Sequence, residues 1–195
     1  MKFIPAGLQG AFLIEADPLT DSRGFFARLW CQSEFQKYGI TMQVVQTSVS
    51  HNAAVGTVRG MHFQWSPSQE AKLIRCERGR VYDVIVDLRP DSATFTQYIA
   101  VELDSQKHNA VYVPPGFAHG FQTLEVNSDL IYMMSDYFRP ELADGFRYDD
   151  PQFDIAWPLP VDCIIERDCN YPDFDSDSYM QRYSEACRTI DNVSD

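Results

Sequence analysis

Residues 81–88, in the middle of the chain, place apolar side chains at every second position. The apolar residues at these positions share one face: Tyr82, Val84, Val86 and Leu88. Asp83 and Asp87 fall on the opposite face. A period of two is that of a β-strand, because successive side chains of a strand point to opposite sides of its sheet. This segment therefore predicts a β-strand with one apolar face.

Further strand-like segments follow at short intervals. Residues 98–103, 110–113 and 130–134 read in the same way. Turn sequences separate them, such as Arg89-Pro90-Asp91-Ser92 and Pro114-Pro115-Gly116. Helical patterns are few and are limited to residues 33–38 and 178–188. Closely spaced strands without helices between them indicate an antiparallel sandwich or barrel, so an all-β fold is expected.

The length of 195 residues fits a single domain, and 45% hydrophobic residues are enough for a sizeable core. We expect the core at about residues 11–160. An appendage at 161–195 would complete the site and continue as an acidic helical tail. Residues 170–177 are polar and acidic, which predicts a surface connection. For the tail itself, a solvated segment is the default expectation, and a helix packed on the barrel or on a dimer is the alternative.

Charge and patterning exclude several classes of protein. A net charge of −12 argues against binding nucleic acid or an anionic membrane through a basic face. Residues 59–89 are locally basic, however, which is compatible with a small bound anion and equally with basic side chains scattered on solvated strand faces. No apolar run approaches the roughly 20 residues of a membrane span, and residues 1–7 do not resemble a signal peptide. Five cysteines without CxxC spacing agree with a cytoplasmic location.

Two glycine-rich blocks each carry a histidine. Residues 56–64 contain His62, and residues 114–121 contain His119. Glycine-rich turns beside a histidine are typical of the mouth of a β-barrel, where side chains converge on a ligand. We therefore expect these two histidines to lie at one site.

The two blocks resemble the conserved motifs of the cupin superfamily, whose fold is a jelly-roll barrel of the double-stranded β-helix type. Metal-binding cupins carry His-x-His in the first motif, whereas this chain reads His62-Phe63-Gln64. Two histidines are too few for a divalent transition metal, and Glu70 is not at a convincing spacing. No metal site is therefore predicted.

A longer series of blocks resembles one family in particular. In chain order, the blocks are DSRGFF at 21–26, RGMHFQ at 59–64, KLIR at 72–75, YDVIVDLR at 82–89, PGFAHGF at 115–121, Tyr132, YFRP at 137–140, DDP at 149–151 and IAWP at 155–158. Together, over about residues 11–175, they resemble the dTDP-4-dehydrorhamnose 3,5-epimerase family. The resemblance implies an isomerase of cupin fold that needs no metal or other cofactor. Its substrate would be a nucleotide-linked 4-keto-6-deoxysugar, epimerised at the carbons beside the ketone.

The resemblance also implies a catalytic set. His62 would be the base that removes the proton next to the ketone, a task suited to imidazole. Asp168 would orient His62, and Lys72 would face the developing enolate oxygen. Tyr132 would return a proton from the opposite face. Plainer interpretations exist for three of them: a solvated strand lysine, a core tyrosine and a spare aspartate in an acidic loop.

Substrate contacts are implied as well. Arg59 and His119 would contact the substrate or its diphosphate, although His119 has a plainer role in shaping its turn. Arg23 would reach the site of a neighbouring subunit, because the family forms homodimers with exchanged N-terminal strands. The full predicted binding set is Arg23, Phe26, Gln46, Ser48, Arg59, Gln64, His119, Phe138 and Arg167.

Several positions depart from the family pattern. Arg28 and Ala143 replace glutamates, residues 46–50 lack the usual asparagine, and Phe138 replaces a tyrosine thought to stack on the base. A phenyl ring still stacks on a base, whereas a new guanidinium changes the local charge. We therefore expect epimerase chemistry on an altered substrate: another nucleotide, or a sugar epimerised at one carbon.

Other functions stay open on the sequence alone. One is a cupin ketoisomerase that uses the same histidine chemistry, and another is a sugar-binding cupin without catalysis. A metal-dependent oxygenase is the last. The combination of a base, a cation and a phenol favours an enzyme over a binding protein, which needs no such set.

Overall fold

The computed structural model describes residues 1–191, with side chains described for residues 1–186. Within this range, two facing antiparallel sheets and a separate hairpin form the β structure. The first sheet runs in the order β1 (Lys2–Pro5), β2 (Phe12–Glu15), β10 (Ala110–Val113), β7 (Lys72–Arg78), β12 (Ser128–Met134) and β5 (Gln46–Asn52). The second runs β13 (Ala143–Gly145), β6 (Val58–Gln64), β11 (Phe117–Thr123), β8 (Arg80–Asp87) and β9 (Tyr98–Asp104). The hairpin pairs β3 (Leu19–Asp21) with β4 (Gly24–Phe26).

The main core fills the space between the two sheets. Ile74, Val111 and Leu130 come from the first sheet and meet Ile85 and Phe121 of the second. All five side chains are almost completely buried. Removing this much apolar surface from water is the main term that holds the sheets face to face.

Strand β8 is buried on both faces. Val84 and Val86 pack outward against Phe146 in a second apolar layer that covers the second sheet. On the inward face Asp83 and Asp87 are fully buried rather than solvated. The predicted alternation is therefore present, and its acidic face points into the protein, where buried carboxylates need partners.

Helices are short and lie outside the sheets. They are α1 (Gln32–Gln36), α2 (Glu166–Cys169) and α3 (Ser176–Asp191) within the described range. The prediction of an all-β fold with a few short helices, mainly near the C-terminus, is confirmed. No helix among residues 1–191 has the length and apolarity that crossing a membrane requires.

The C-terminal part differs from the default expectation. Helix α3 packs on the barrel through Tyr179, which is buried beside Trp65 and Phe63. Residues 170–177 are not only a surface connection either, because Phe174 joins the same apolar layer. The aromatic side chains in this acidic stretch bury enough apolar surface to hold it on the sheet. Residues 192–195, the end of the predicted tail, lie outside the described residues.

Candidate active site

A cavity of about 320 Å³ opens between the two sheets. The first sheet contributes Ser48, Val49, Ser50, Lys72, Tyr132 and Met134 to its wall, and the second contributes Arg59, His62, Phe63, Gln64, His119, Phe121, Ala143 and Asp144. Glu70, Phe138, Arg167 and Tyr171 complete the lining. Polar and ionisable groups thus converge on one concave space, which is the usual form of a small-molecule site.

Strand pairing brings the two histidines together. His62 on β6 lies directly opposite His119 on β11. The two strands approach closely at Gly60 and Gly120: a Cβ on Gly60 would lie 2.7 Å from the Cα of Gly120. Gly60 also has a φ of +112°, which side-chain-bearing residues rarely adopt. The glycines of the two motifs therefore permit the close approach that sets the histidines side by side.

Asp168 of α2 holds the imidazole of His62. The Asp168 Oδ1 lies 2.9 Å from His62 Nε2, and Asp168 Oδ2 accepts a hydrogen bond of 3.1 Å from the Gly60 amide. Arg167 donates to the same Oδ1 at 3.1 Å, and its Nη2 lies 3.2 Å from His62 Nε2. Asp168 is buried, while the side chain of His62 remains 34% exposed towards the cavity.

The protonation of this pair follows from the surroundings of Asp168. Burial by itself raises the pKa of Asp168, but the hydrogen bonds from His62, Gly60 and Arg167 outweigh it and hold the pKa below its usual value. An ionised carboxylate only accepts hydrogen bonds, so His62 Nε2 carries the proton. Among the described residues none hydrogen-bonds His62 Nδ1. In neutral imidazole this nitrogen has a free lone pair and can accept a proton.

The cavity wall contains a second His–Asp pair. His119 Nε2 lies 2.8 Å from Asp83 Oδ2, and both side chains are buried. Burial raises the pKa of Asp83 despite the nearby charges of His119 and Lys72. Asp83 Oδ1 is buried without a hydrogen-bond partner among the described residues. This pair is therefore short of donors, in contrast to the pair at His62.

Tyr132 faces the cavity from β12, on the opposite sheet from His62. Its ring packs edge-on against His119, with 5.7 Å between the ring centroids. Burial raises the pKa of Tyr132 well above its ordinary value, and the charge of Asp83 raises it further, while Arg59 lowers it. The phenol therefore stays protonated at neutral pH and is available as a proton donor.

Lys72 contributes a positive charge to the cavity wall. Its Nζ lies 3.1 Å from Glu70 Oε2, and both side chains are largely shielded from solvent. Glu70 is therefore the ion-pair partner of Lys72. Among the described residues, no three His, Cys, Asp or Glu side chains are grouped as metal ligands.

Comparison with known proteins decides the family. The sequence model of the dTDP-4-dehydrorhamnose 3,5-epimerase family matches residues 5–176. The chain belongs to the dTDP-4-dehydrorhamnose 3,5-epimerase family. The enzyme of that name from Methanothermobacter thermautotrophicus is 38% identical over 173 residues, which are 87% of this chain and 92% of the relative.

Solved structures agree with this assignment. The epimerase of Bacillus anthracis with TDP and PPi bound has a TM-score of 0.86 at 36% identity, covering 89% of this chain and 99% of that one. A 3'-monoepimerase from Streptomyces bikiniensis, in complex with dTDP-quinovose, has a TM-score of 0.83 at 28% identity and covers 97% of each chain. The solved structures similar to this chain thus include proteins whose names describe epimerisation at one position as well as at two.

The predicted residues of the site fall into three groups, and Gln46 alone forms the third. Most of them line the cavity or, like Asp168, hold a residue that does: His62, Tyr132, Lys72, Asp168, Ser48, Arg59, Gln64, His119, Phe138 and Arg167. Arg23 and Phe26 lie instead on the β3–β4 hairpin, where Phe26 is 73% exposed and Arg23 pairs with Asp21. These two residues do not line the cavity of their own chain.

Gln46 and Gln64 support the cavity mouth. Gln46 Oε1 accepts a hydrogen bond of 2.6 Å from the Phe138 amide, and Gln64 Oε1 accepts one of 2.8 Å from the Arg139 amide. Gln46 does not line the cavity in this structure, and its side-chain carbonyl oxygen accepts from the backbone, so its contact with substrate stays a prediction. Phe138 is thereby presented at the mouth with 57% of its surface exposed.

The positions that depart from the family pattern lie partly at the cavity and partly away from it. Ala143 and Phe138 line the cavity. Arg28 does not line it, because its guanidinium pairs with Glu34 at 2.9 Å. The extra positive charge of Arg28 is therefore compensated locally within this chain and does not reach its own cavity.

Sequence reasoning missed several members of the site. Asp83 was available as an isolated acid in an apolar strand, which signals a buried partner. Glu70, Asp144 and Tyr171 carry no comparable signal. Tyr171 lies in a stretch that reads as a polar loop, and its ring stands edge-on to His62, with 6.3 Å between centroids.

Proposed function

We propose that this protein is an epimerase of a nucleotide-linked 4-keto-6-deoxysugar, of the dTDP-4-dehydrorhamnose 3,5-epimerase type. The observation that carries the proposal is the placement of His62 and Tyr132 on opposing sheets of one cavity. Lys72 lines the same cavity from β7, the strand paired with that of Tyr132. Epimerisation needs a proton taken from one face of a carbon and another delivered to the opposite face. The two side chains are arranged for that exchange.

In the first step, His62 Nδ1 takes the proton from a carbon next to the ketone. The electron pair of that C–H bond moves into the ring, and the carbonyl oxygen takes the negative charge of an enolate. The imidazolium that forms is stabilised by the ionised carboxylate of Asp168, 2.9 Å away. Asp168 also fixes the ring orientation through Nε2, which leaves Nδ1 as the nitrogen that we assign as the base.

The enolate oxygen needs a fixed positive charge. We assign this role to Lys72, whose ammonium lines the cavity and is held by Glu70 at 3.1 Å. A preorganised cation stabilises the developing oxyanion more than the neutral ketone, and this difference lowers the barrier. Glu70 is then the positioning residue of Lys72.

In the second step, Tyr132 gives its phenolic proton to the same carbon from the opposite sheet. The enolate collapses to the ketone with inverted configuration. The phenolate left on Tyr132 lies near the positive charge of Arg59, which lowers the pKa of the tyrosine. A proton from His62 or water then resets the site.

The remaining cavity residues are proposed to bind the substrate. Arg59 and Arg167 are cationic groups at the cavity and suit a diphosphate. Phe138, exposed at the mouth, suits stacking against a nucleobase. Ser48 and His119 are placed for contacts with sugar hydroxyl groups.

We also propose a homodimer in which the β3–β4 hairpin reaches the partner. Leu19, Phe25 and Phe26 on this hairpin are 73%, 53% and 73% exposed, which leaves an apolar surface without cover in one chain. Exchange of the hairpins would cover it and bring Arg23 and Phe26 to the partner's cavity. Light scattering at increasing concentration tests the dimer, and a monomer at all concentrations would refute it.

The proposed chemistry uses only side chains, so we propose that the enzyme works without a metal or other cofactor. We also propose that it acts in the cytoplasm. Four free cysteines among the described residues agree with a reducing compartment. Prolonged treatment with a chelator is expected to leave the turnover unchanged. A loss of turnover that is reversed by adding a metal back would contradict the proposal that no metal is needed.

The experiment that tests the function is incubation with a dTDP-4-keto-6-deoxysugar in deuterated water, followed by NMR of the ring protons. Deuterium should enter at one or both carbons beside the retained ketone, and His62→Ala should abolish the exchange. Entry at one carbon would identify a monoepimerase, and a displaced ketone would identify a ketoisomerase. Binding of the sugar nucleotide without any exchange would refute the epimerase and leave a binding protein.

A further inference from the structure

Strand β13 forms part of the cavity wall and is paired with a neighbouring strand on one side only. It has three residues and lies at the edge of the second sheet, where it pairs with β6. Its register places Gly145 opposite His62, Asp144 opposite Phe63 and Ala143 opposite Gln64. Any displacement of β13 therefore moves the wall that faces the proposed base.

A second cavity of about 320 Å³ lies behind this strand. The two cavities share Phe63 and Asp144, and the rear one is also lined by residues of α3 and of the segment before it. Asp144 therefore borders open space on both sides, whereas the neighbouring Gly145 is closely packed: a Cβ there would lie 2.8 Å from the ring of Tyr171. Since close packing does not fix the Asp144 side chain, its position depends on the groups bonded to it.

Helix α3 contacts Asp144 and Trp65 through Arg182. The Arg182 guanidinium stacks over the ring of Trp65 at 4.2 Å from the centroid, and its Nη1 lies 3.1 Å from Asp144 Oδ2. Trp65 Nε1 donates to the same Asp144 oxygen at 2.7 Å. We call this set of three residues, Arg182, Trp65 and Asp144, the Arg182 bridge. It joins α3, the end of β6 and β13 through one carboxylate.

Tyr179 anchors the helix that carries the bridge. Its buried ring lies 4.8 Å from that of Trp65 and 5.2 Å from that of Phe174. Arg182 is one turn further along α3, on the same side of the helix. Because Tyr179 fixes the helix, the guanidinium of Arg182 is presented to Asp144 at a defined position, although 56% of its side chain is exposed.

We propose that Arg182 is a positioning residue that sets the β13 wall of the substrate cavity from the C-terminal helix. Residues 177–191 of α3 lie beyond the part of the chain matched by the family, residues 5–176. The proposal rests on the proposed function for its activity readout only. The Arg182 bridge acts on substrate binding, through Ala143 and Asp144, and leaves the proton-transfer set of His62, Lys72 and Tyr132 in place.

The test is Arg182→Ala, with KM and kcat measured separately and hydrogen exchange followed in the peptide that contains residues 143–145. Loss of an exposed cation–π contact and an ion pair should raise KM roughly threefold to tenfold, with kcat within about twofold. Exchange at β13 should become faster, while β8 and β9 keep their protection.

Two further variants sharpen the test. Gln181→Ala is the matched control, because Gln181 is exposed on the same helix and its side-chain amide donates to Glu185 of that helix. It should change neither KM nor β13 exchange. Arg182→Lys keeps the charge but not the planar stacking, so it should recover part of the wild-type KM.

The outcomes separate this proposal from the proposed function. An inactive wild-type enzyme would refute the proposed function, and β13 exchange would still report on the bridge. An active wild type with unchanged KM and unchanged exchange in Arg182→Ala would overturn the bridge alone. Faster exchange throughout the protein, with kcat and KM changed together, would also overturn it, because Arg182 would then act on overall stability.

Discussion

Replacing Asp168 by asparagine tests the centre of the proposed mechanism with the smallest change in shape. The carboxylate of Asp168 accepts from His62 and Arg167 at one oxygen and from the Gly60 amide at the other. All these partners are donors, and a carboxylate satisfies them together. A carboxamide has only one acceptor oxygen, so its NH₂ group must face a donor on one side.

The consequence for His62 follows from which side the amide chooses. If the carboxamide oxygen stays on the Gly60 amide, the NH₂ group faces His62 Nε2, and that nitrogen must become the acceptor. The ring proton then moves to Nδ1, the nitrogen assigned as the base, which can then no longer accept a proton. If the amide turns round, the Gly60 donor is left buried and unpaired, which costs about 1–3 kcal/mol.

We expect kcat of Asp168→Asn to fall about 10³- to 10⁴-fold, or roughly 4–5.5 kcal/mol of transition-state free energy. The loss combines the wrong tautomer with a missing negative charge beside the imidazolium. Deuterium entry into the sugar, followed by NMR under single-turnover conditions, measures it directly. A residual activity within tenfold of wild type, in a folded variant, would refute the argument about the tautomer.

Asp150→Asn is the matched control. Asp150 is equally buried, and its oxygens accept from the backbone amides of Gln152 and Phe174. The substitution should therefore lower stability by a similar mechanism while leaving kcat near the wild-type value. Equal losses of activity in both variants would mean that buried aspartates support the fold and not the base.

The pH dependence of stability gives an independent check. Because the folded pKa of Asp168 lies below its unfolded value, the ionised group stabilises the protein above about pH 4, and this contribution is lost as pH falls through the folded pKa. The free energy of unfolding of wild type minus that of Asp168→Asn should therefore shrink below about pH 4, by up to about 1.4 kcal/mol per pH unit. Urea titrations at several pH values measure it, and a difference that grows in acid would contradict the sign.

Three further substitutions test the other groups. Lys72→Met should lower kcat by about 10²- to 10³-fold through loss of the enolate cation, with a smaller change in nucleotide affinity measured by calorimetry. Tyr132→Phe should reduce formation of epimerised product about 10²-fold or more, while His62 still exchanges the substrate proton with deuterium from its own side; equal loss of both would contradict separate roles. The Asp83→Asn variant should become more stable relative to wild type as pH rises above about 4. The folded pKa of Asp83 is raised, so the folded wild type loses stability as this buried carboxyl group is driven to ionise. Urea midpoints at about pH 4 and about pH 7 that move the other way would refute this.

The fold was predictable because its strands carry the period-two signal. Residues 98–103 and 110–113 were expected as strands and form β9 (Tyr98–Asp104) and β10 (Ala110–Val113). Sequence patterns could not reveal that β8 is covered on both sides, because the covering layer comes from residues far along the chain, such as Phe146 and Tyr179. Burial of a face depends on tertiary packing, whereas alternation depends only on the strand itself.

The site was predictable where a motif fixed it. His62 and His119 come from glycine-rich blocks, and the strand register then sets them side by side. The location of Arg23 and Phe26 away from the cavity follows from chain geometry: the hairpin that carries them is paired only with itself among the described strands. A single sequence cannot distinguish a residue that serves its own cavity from one that serves a partner.

The two His–Asp pairs show why residue type alone does not identify a catalytic base. His62 and His119 lie opposite each other, and each contacts a buried aspartate within 3 Å. Asp168 receives additional hydrogen bonds from Gly60 and Arg167, which keep it ionised, whereas Asp83 has an oxygen without a described partner and a pKa raised by burial. A base that becomes cationic needs an ionised partner and access to the substrate, and only the half-exposed His62 combines both. The Gly60 amide that donates to Asp168 lies 108 residues before it in the chain, so this distinction exists only in the folded protein.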